Sequence, residues 1–349
     1  MADRENEVPS APDIQEPSPL ITVYIVTYRR HEMLRRAISS VLAQTHQNLQ
    51  VKVVNDDPGD PEVASIIEEF KDARLSLFMP VMKRGATSNF NLAFDEQGAE
   101  FVSLLEDDNW WEPTFLESQM GALVTHYEAP LVVGNERIWQ ELPDGQWRDT
   151  GQTIWTEGDV TFRDLRIEDI CGSANICNSS MLIRVTAARY LKTPDTIPVD
   201  VTEHFRERQL GPRLLLNRKA LVNYSDTIRT ARATDGETWG RYQCILIGSV
   251  FIAITDASAR NELAVCLWNE CASPLSPRAV TLLACGVAIR EARALFWNAP
   301  FLSKLRFVIW VMRRPTRLLG LLSVRDMPSS ELDYLVNAPL TRHFSRQWT

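Results

Sequence analysis

The stretch ITVYIVTYRRHEMLRRAISSVLAQTHQNLQVKVVNDDPGD, residues 21–60, alternates between two kinds of order. Ile21 to Thr27 is an unbroken β-branched and apolar run, the pattern of a strand buried on both faces. Leu34, Ala37, Ile38, Val41 and Leu42 then recur at spacings that put one apolar stripe on a helix. Val51 to Val54 returns to strand and runs into the acidic turn Asn55-Asp56-Asp57-Pro58-Gly59-Asp60. Strand, helix and strand in this order predict a parallel βαβ unit.

Working outward, the alternation continues. Val63, Ile66, Ile67 and Phe70 mark a second helix, Leu75 to Phe78 a third strand, Ala86 to Phe94 a third helix, and Phe101 to Leu105 a fourth strand ending at Glu106-Asp107-Asp108-Asn109. This is the pattern of an α/β sandwich. Ligands of such sheets bind beyond the carboxyl ends of the strands, which is where both acidic clusters fall. Crowded carboxylates repel one another, so such a cluster is either solvated or holds a cation. Beyond Leu131 the pattern changes: Arg137 to Leu142, the turn Pro143-Asp144-Gly145 and Gln146 to Arg148 predict a hairpin, and hence a mixed sheet. From about Gly248 the sequence reads as helical. The chain divides into a disordered tail (1–19), an α/β domain (20–245) and a helical module (246–349).

Composition bounds the function. The 349 residues are 45% hydrophobic and 23% charged, with 15 Gly and 19 Pro, which excludes collagen-like and wholly disordered chains. A net charge of −8 argues against a nucleic-acid partner. Cys171, Cys177, Cys244, Cys266, Cys271 and Cys285 include no C-x-x-C pair, so neither a zinc ribbon nor a disulfide framework is expected, and a cytoplasmic location fits. The acidic, Pro-rich start reads as neither signal peptide nor anchor, and no run approaches the ~18 apolar residues of a membrane span. The glycine-rich phosphate loops, the H-E-x-x-H motif and the G-x-S-x-G elbow are all absent.

Five pieces stand in a characteristic order: Thr27-Tyr28-Arg29-Arg30; Ser40-Val41-Leu42-Ala43-Gln44-Thr45; Val53-Val54-Asn55-Asp56-Asp57; Arg84-Gly85 with Asn91; and Leu104-Leu105-Glu106-Asp107-Asp108-Asn109-Trp110-Trp111-Glu112-Pro113. In this order, over roughly Ile21 to Tyr224, the sequence resembles the inverting family 2 glycosyltransferases of the GT-A fold. The Asp-Asp-Asn form is similar to that of spore-coat polysaccharide glycosyltransferases. The resemblance implies a GT-A (Rossmann-like) α/β domain with a mixed sheet that moves a sugar from a nucleoside-diphosphate donor to an acceptor hydroxyl, in cell-envelope or exopolysaccharide synthesis. It implies that Thr27, Tyr28, Arg30, Arg84 and Asn91 surround the nucleotide. Asp56 would accept the imide N–H of a uracil or thymine ring, favouring a UDP or dTDP sugar, since a carboxylate is an acceptor only. Asp107 would hold the ribose or a cation through water. Asp108, with Glu106 and Asp107 as further candidates, would ligate Mg²⁺ or Mn²⁺ to neutralise the departing diphosphate. The family's usual Asp-x-Asp stands here as Glu106-Asp107-Asp108. Lys83 adds positive charge beside Gly85.

Inversion needs a base opposite the leaving group. The family places an Asp at the start of a later helix, and Asp200-Val201-Thr202-Glu203-His204-Phe205-Arg206 fits, with Asp200 as base and Glu203 as second choice; Asp200 also suits a helix N-cap. Trp110 and Trp111 are candidates for sugar or acceptor contact, as indole faces stack on sugar C–H groups, and Gly172 to Asn175 for the acceptor side. Two rivals remain. A sugar-1-phosphate nucleotidylyltransferase needs glycines after its first strand, which Thr27 to His31 lacks. A degenerate glycosyltransferase fold kept as a binding or scaffold subunit is encouraged by Glu106 and by Val199 preceding Asp200.

Residues 292–325 carry seven basic residues (Arg293, Lys304, Arg306, Arg313, Arg314, Arg317, Arg325) and no acidic one. Phe301, Leu302, Leu305, Val308, Ile309, Trp310, Leu318, Leu319, Leu321 and Leu322 lie between them. This predicts amphipathic helices broken at Pro315, lying peripherally on the anionic inner face of a membrane beside a lipid-linked saccharide acceptor. The alternative is a helical subdomain that packs on the catalytic domain or on a second copy in a homo-oligomer.

Overall fold

A computed structural model describes residues 18–170, 176–228, 236–316, 322, 324 and 329–348. One sheet of ten strands organises the first two thirds of the chain. The predicted βαβ unit forms as β1 (Ile21–Thr27), α1 (His31–Leu42) and β2 (Leu49–Asn55), followed by α2 (Glu62–Phe70), β3 (Leu75–Phe78), α3 (Ala86–Phe90) and β4 (Phe101–Glu106). β1, β2, β3 and β4 are mutually parallel, with Thr27 opposite Asn55 and Val26 opposite Glu106. The strand ends carrying Asn55-Asp56 and Glu106-Asp107-Asp108 therefore flank the end of β1.

The sheet continues through β5 (Trp110–Trp111), α4 (Phe115–Thr125), β6 (Leu131–Glu141), β7 (Trp147–Thr153), β8 (Val160–Asp164), α5 (Ile167–Ile170), β9 (Met181–Arg184), α6 (Val185–Ala188), α7 (Thr202–Glu207) and β10 (Arg213–Asp226). Its order is β3-β2-β1-β4-β9-β6-β10-β5, with β7 added to β6 and β8 to β10. β9 runs antiparallel to both β4 and β6, which makes the sheet mixed. The predicted hairpin is the antiparallel β6–β7 pair, with Glu141 opposite Trp147.

Period-two alternation along each strand sends side chains to two cores. Val23, Ile25, Val51 and Val53 pack with Leu34, Ile38 and Val41 of α1 and with Phe115 and Leu116 of α4. Tyr24, Val26, Val102, Leu104, Leu131 and Val133 face the other way, into a core shared with the C-terminal helices. Those helices are α8 (Gly236–Ala253), α9 (Ala257–Asn269), α10 (Pro277–Ala288), α11 (Arg293–Trp297), α12 (Phe301–Arg313), α13 (Ser329–Asn337) and α14 (Pro339–Arg346). Asp256 and Ser276 cap α9 and α10, accepting from Ala259 N and Ala279 N.

Residue 245, where the sequence reading put a boundary, lies inside α8; the last strand ends at Asp226. Arg208, only 1% exposed, ties the parts together: its guanidinium donates to Ile170 O at 2.8 Å and Leu246 O at 2.6 Å, and its own carbonyl accepts from Leu340 N at 3.0 Å. The expected helix over 86–94 is shorter: α3 stops at Phe90 and a 3-10 turn, Ala93–Asp95, follows. The expectations for residues 1–17, for Gly172 to Asn175, and for Arg317, Leu318, Leu319, Leu321 and Arg325 lie outside the described residues.

Candidate active site

A cavity of about 500 Å³ opens beyond the carboxyl ends of β1, β2 and β4. Thr27, Tyr28, Arg30, Asp56, Lys83, Glu106, Asp107, Asp108, Asp200 and Glu203 all line it, so most of the residues singled out in the sequence meet at one place although up to 176 positions separate them. The turn after β1 is strained: Arg29 takes φ 57, a left-handed conformation that a β-carbon disfavours. Its Nε is held at 2.5 Å from Asp57 Oδ2. That kink leaves Tyr28 40% exposed at the cavity, with Lys83 Nζ 3.9 Å from its ring centre.

Asp107 is buried and fully engaged. Its Oδ2 accepts from Thr27 Oγ1 at 2.8 Å and Tyr28 N at 3.4 Å, and its Oδ1 accepts from Arg30 Nη1 at 2.9 Å. The same Arg30 nitrogen donates to Asp108 Oδ2 at 2.8 Å. Burial and the Asp108 charge push the Asp107 carboxyl well above the ordinary range, with Arg30 and Thr27 opposing. Burial likewise raises Asp108, against the pull of Arg30 and Arg36. Two carboxylates thus converge on one cationic nitrogen and share too little positive charge. Among the described residues no three His, Cys, Asp or Glu side chains form a ready metal cage. Hard oxygen donors already gathered on a cation do suit Mg²⁺ or Mn²⁺.

Behind them, Glu106 Oε2 accepts from Ser179 Oγ at 2.9 Å, Cys177 Sγ at 3.2 Å and Asn109 Nδ2 at 3.2 Å. Burial and the Asp108 charge raise its pKa. Glu136, also buried, is pushed up to about 8 by desolvation. Asp56 is tied down from one side: Oδ1 accepts from Arg84 N at 3.0 Å, Gly85 N at 3.1 Å and Asn89 Nδ2 at 2.7 Å. Gly85 adopts φ 90, so a residue with a β-carbon would be strained at that contact.

Asp200 sits in a 3-10 turn, Val199–Val201, directly before α7. The N-cap position of α7 falls on Val201, one residue after Asp200. Glu203 Oε1 accepts from Asn178 Nδ2 at 3.1 Å, and the other end of that amide accepts from the fully buried Arg206. Burial and the charge of Glu106 raise the Glu203 carboxyl well above its usual range.

Four of the candidates stand apart from the residues that line this cavity. Asn91 is not among the residues lining this cavity: its amide donates to Thr193 O and Asp195 Oδ1, both at 2.7 Å, and fastens α3 to the segment before Asp200. Arg84 contributes its backbone N–H, while its guanidinium lies 6.0 Å from the Phe78 ring and outside the cavity lining. Trp111 is core, 3% exposed, 4.5 Å from the Phe115 ring, with its indole N–H on Ser179 O at 2.7 Å. Trp110 is half-buried outside the cavity, with the Arg36 guanidinium 3.8 Å from its ring and Trp139 at 5.3 Å. Two N-x-S sequons in the sequence are buried, Asn178 at 0% and Asn223 at 1%.

Several residues were missed. Asn89 orients Asp56, and Ser225, Asp226 and Thr227 close the cavity from the end of β10. Arg36 donates to Asp108 O at 2.6 Å and Ser225 Oγ at 3.2 Å, bridging β10 to the metal-candidate loop. None has a local signal, because each acts on a partner distant in sequence.

A mixed sheet with acidic strand ends beside a cavity has the GT-A architecture of nucleotide-sugar transferases. The fold matches that of S. aureus TarS 1–349 in complex with UDP, with a TM-score of 0.55 at 13% identity, covering 94% of this chain and 92% of that one. Residues 22–189 match the family described as Glycosyl transferase family 2. Over 123 residues it is 29% identical to Glycosyltransferase GlyA of Streptococcus pneumoniae, covering 35% of this chain and 17% of that protein. Over 119 residues it is 29% identical to UDP-Glc:alpha-D-GlcNAc-diphosphoundecaprenol beta-1,3-glucosyltransferase WfgD of Escherichia coli, covering 34% and 46%. The chain spans less than half the length of these curated relatives.

Proposed function

We propose that the chain transfers a sugar from a pyrimidine nucleoside-diphosphate donor to a saccharide hydroxyl, with inversion, in the assembly of a cell-envelope polysaccharide. The observation that carries this reading is the single cavity in which Asp56, Asp107 and Asp108 meet Asp200 and Glu203. Asp56 Oδ1 is saturated by three donors of the protein itself, which leaves Oδ2 to accept a ring N–H such as the imide of uracil or thymine. Tyr28 and Lys83 lie beside that position and suit the base and the phosphates.

Asp108, assisted by Asp107, would hold a divalent cation, which when bound supplies Lewis-acid neutralisation of the departing diphosphate. Arg30, shared by the same two carboxylates, adds a fixed positive charge at that end of the cavity. Asp200 takes the proton of the acceptor hydroxyl. Glu203 stands second, because burial raises its carboxyl to about 8 and so keeps it protonated, unable to accept a proton, near neutral pH. The sugar-transfer domain comprises 20–228 and the helical region 236–348. A relative whose name specifies UDP-Glc and a diphosphoundecaprenol-linked acceptor supports UDP-glucose and a lipid-linked saccharide as the first substrates to try.

The test is a panel of nucleotide sugars assayed for transfer and donor hydrolysis with and without EDTA, alongside thermal shift with UDP, Mn²⁺ and both. Turnover that EDTA abolishes, with joint stabilisation by UDP and Mn²⁺, is expected. Stabilisation without turnover on any donor would favour a binding subunit; neither would refute the proposal.

A further inference from the structure

We propose that α12 is a docking face for an anionic lipid bilayer, on which the protein lies without crossing it. This inference is independent of the donor and the chemistry. α12 is held to the body by one side only: Ser303 and Phe307 are buried, Ser303 Oγ donates to Pro274 O at 2.8 Å, and Phe307 stacks on Trp310 at 5.8 Å. The other side faces solvent with Phe301 77%, Leu302 54%, Leu305 47%, Val308 51%, Ile309 38% and Met312 69% exposed. At 100° per residue these six fall within an arc of roughly 120°, so they form one continuous stripe rather than scattered surface residues. Contiguous apolar surface of this kind marks an interaction site.

What it binds follows from the borders of the stripe. On the same wheel Lys304 falls at one edge and Arg306 and Arg313 at the other, with Arg314 at the helix end. From 292 to 316 the chain has five basic residues and no acidic one, although the whole chain carries −8. Lys304 Nζ donates to Trp297 O at 3.1 Å, which brings Trp297, 73% exposed on α11, alongside the stripe as an aromatic suited to the headgroup layer. An apolar arc bordered on both sides by cations matches acyl chains below and anionic headgroups at the same depth. Among the described residues no helix is long and apolar enough to cross a membrane, and α12 has 13 residues, so the geometry suits lying in the interface.

The experiment floats the full chain with vesicles of phosphatidylcholine alone, or with one third phosphatidylglycerol, at about 0.05 M and about 0.5 M salt, below and above the range where surface charge is screened over ~10 Å. The protein is expected to float with the anionic vesicles at low salt, weakly at high salt, and not with phosphatidylcholine alone. Arg313→Gln with Arg314→Gln should weaken partition about 25-fold, fivefold for each charge removed, and Phe301→Ser with Leu305→Ser should abolish it. Thermal melting of each variant within 2 °C of the parent, as exposed positions predict (about ±0.5 kcal/mol), shows that folding is intact. No binding to anionic vesicles at low salt overturns the proposal, as does binding that ignores these substitutions. Self-association in sedimentation that Leu305→Ser dissolves, without vesicle binding, also overturns it and makes the stripe an interface between copies.

Discussion

Replacing Asp56 separates its two duties. In Asp56→Asn the amide oxygen can keep the three donors at Arg84 N, Gly85 N and Asn89 Nδ2, so the turn should hold and stability should change by no more than about 1 kcal/mol. The amide nitrogen, however, now points a donor where the ring imide also donates. One charge-assisted hydrogen bond, worth about 2 kcal/mol net, is lost, so UDP should bind about 30-fold more weakly. Cytosine presents an acceptor at the corresponding ring nitrogen, so CDP should gain. Asp56→Ala differs: three donors lose their acceptor at a residue 3% exposed, and at ~1 kcal/mol or more each the protein should lose about 3 kcal/mol as well as UDP. Isothermal titration of UDP and CDP with both variants, beside urea unfolding, measures both effects. UDP affinity unchanged in a folded Asp56→Asn protein would refute the assignment of Asp56 to the base, and with it the preference for a pyrimidine donor.

Asp200→Asn should reduce transfer by about 10²–10⁴-fold with UDP affinity within twofold of the parent; full transfer activity would remove Asp200 as base. Glu136, raised to about 8 by burial, binds a proton in the folded chain that the unfolded chain releases near 4.5. Its contribution is complete below pH 4.5 and is lost as pH rises through 8, so Glu136→Gln should flatten that part of the stability profile by a few kcal/mol; urea midpoints at pH 5, 7 and 9 check it. Arg208→Met removes the guanidinium from Ile170 O and Leu246 O, the latter keeping Ser249 Oγ, and should cost ~3 kcal/mol, with earlier proteolytic release of the C-terminal helices than in the parent.

The βαβ opening was legible because each element has its own period: Ile21–Thr27 is buried throughout, and of the predicted stripe Leu34, Ala37, Ile38 and Val41 are buried and Leu42 half-buried. The acidic strand ends were legible for the same reason, since a parallel sheet fixes which end of each strand faces the ligand. What failed were distinctions of direction and partner. Asn91 and Asn89 are two residues apart on a five-residue helix and its cap, and nothing local reveals that Asn89 serves Asp56 while Asn91 serves Thr193. Trp110 and Trp111 alternate across a short strand, so one packs on Phe115 and the other under Arg36. Arg36 lies off the apolar stripe of α1, and its partners lie 72 and 189 residues further on. The helix that contains residue 245 starts earlier, with the polar Gly236-Glu237-Thr238 ahead of its apolar stretch.

Phe205, on the helix that follows Asp200, is flanked by Tyr242 of α8 at 6.0 Å and Tyr334 of α13 at 5.8 Å. The Asp200 side of the cavity is therefore braced by aromatic rings from the last third of the chain, not merely joined to it by a tether. Shortening the protein after β10 would strip away that brace, and a load applied to the helices would be felt at Asp200 through rigid packing. Their grip on a surface would steer the mouth of the pocket.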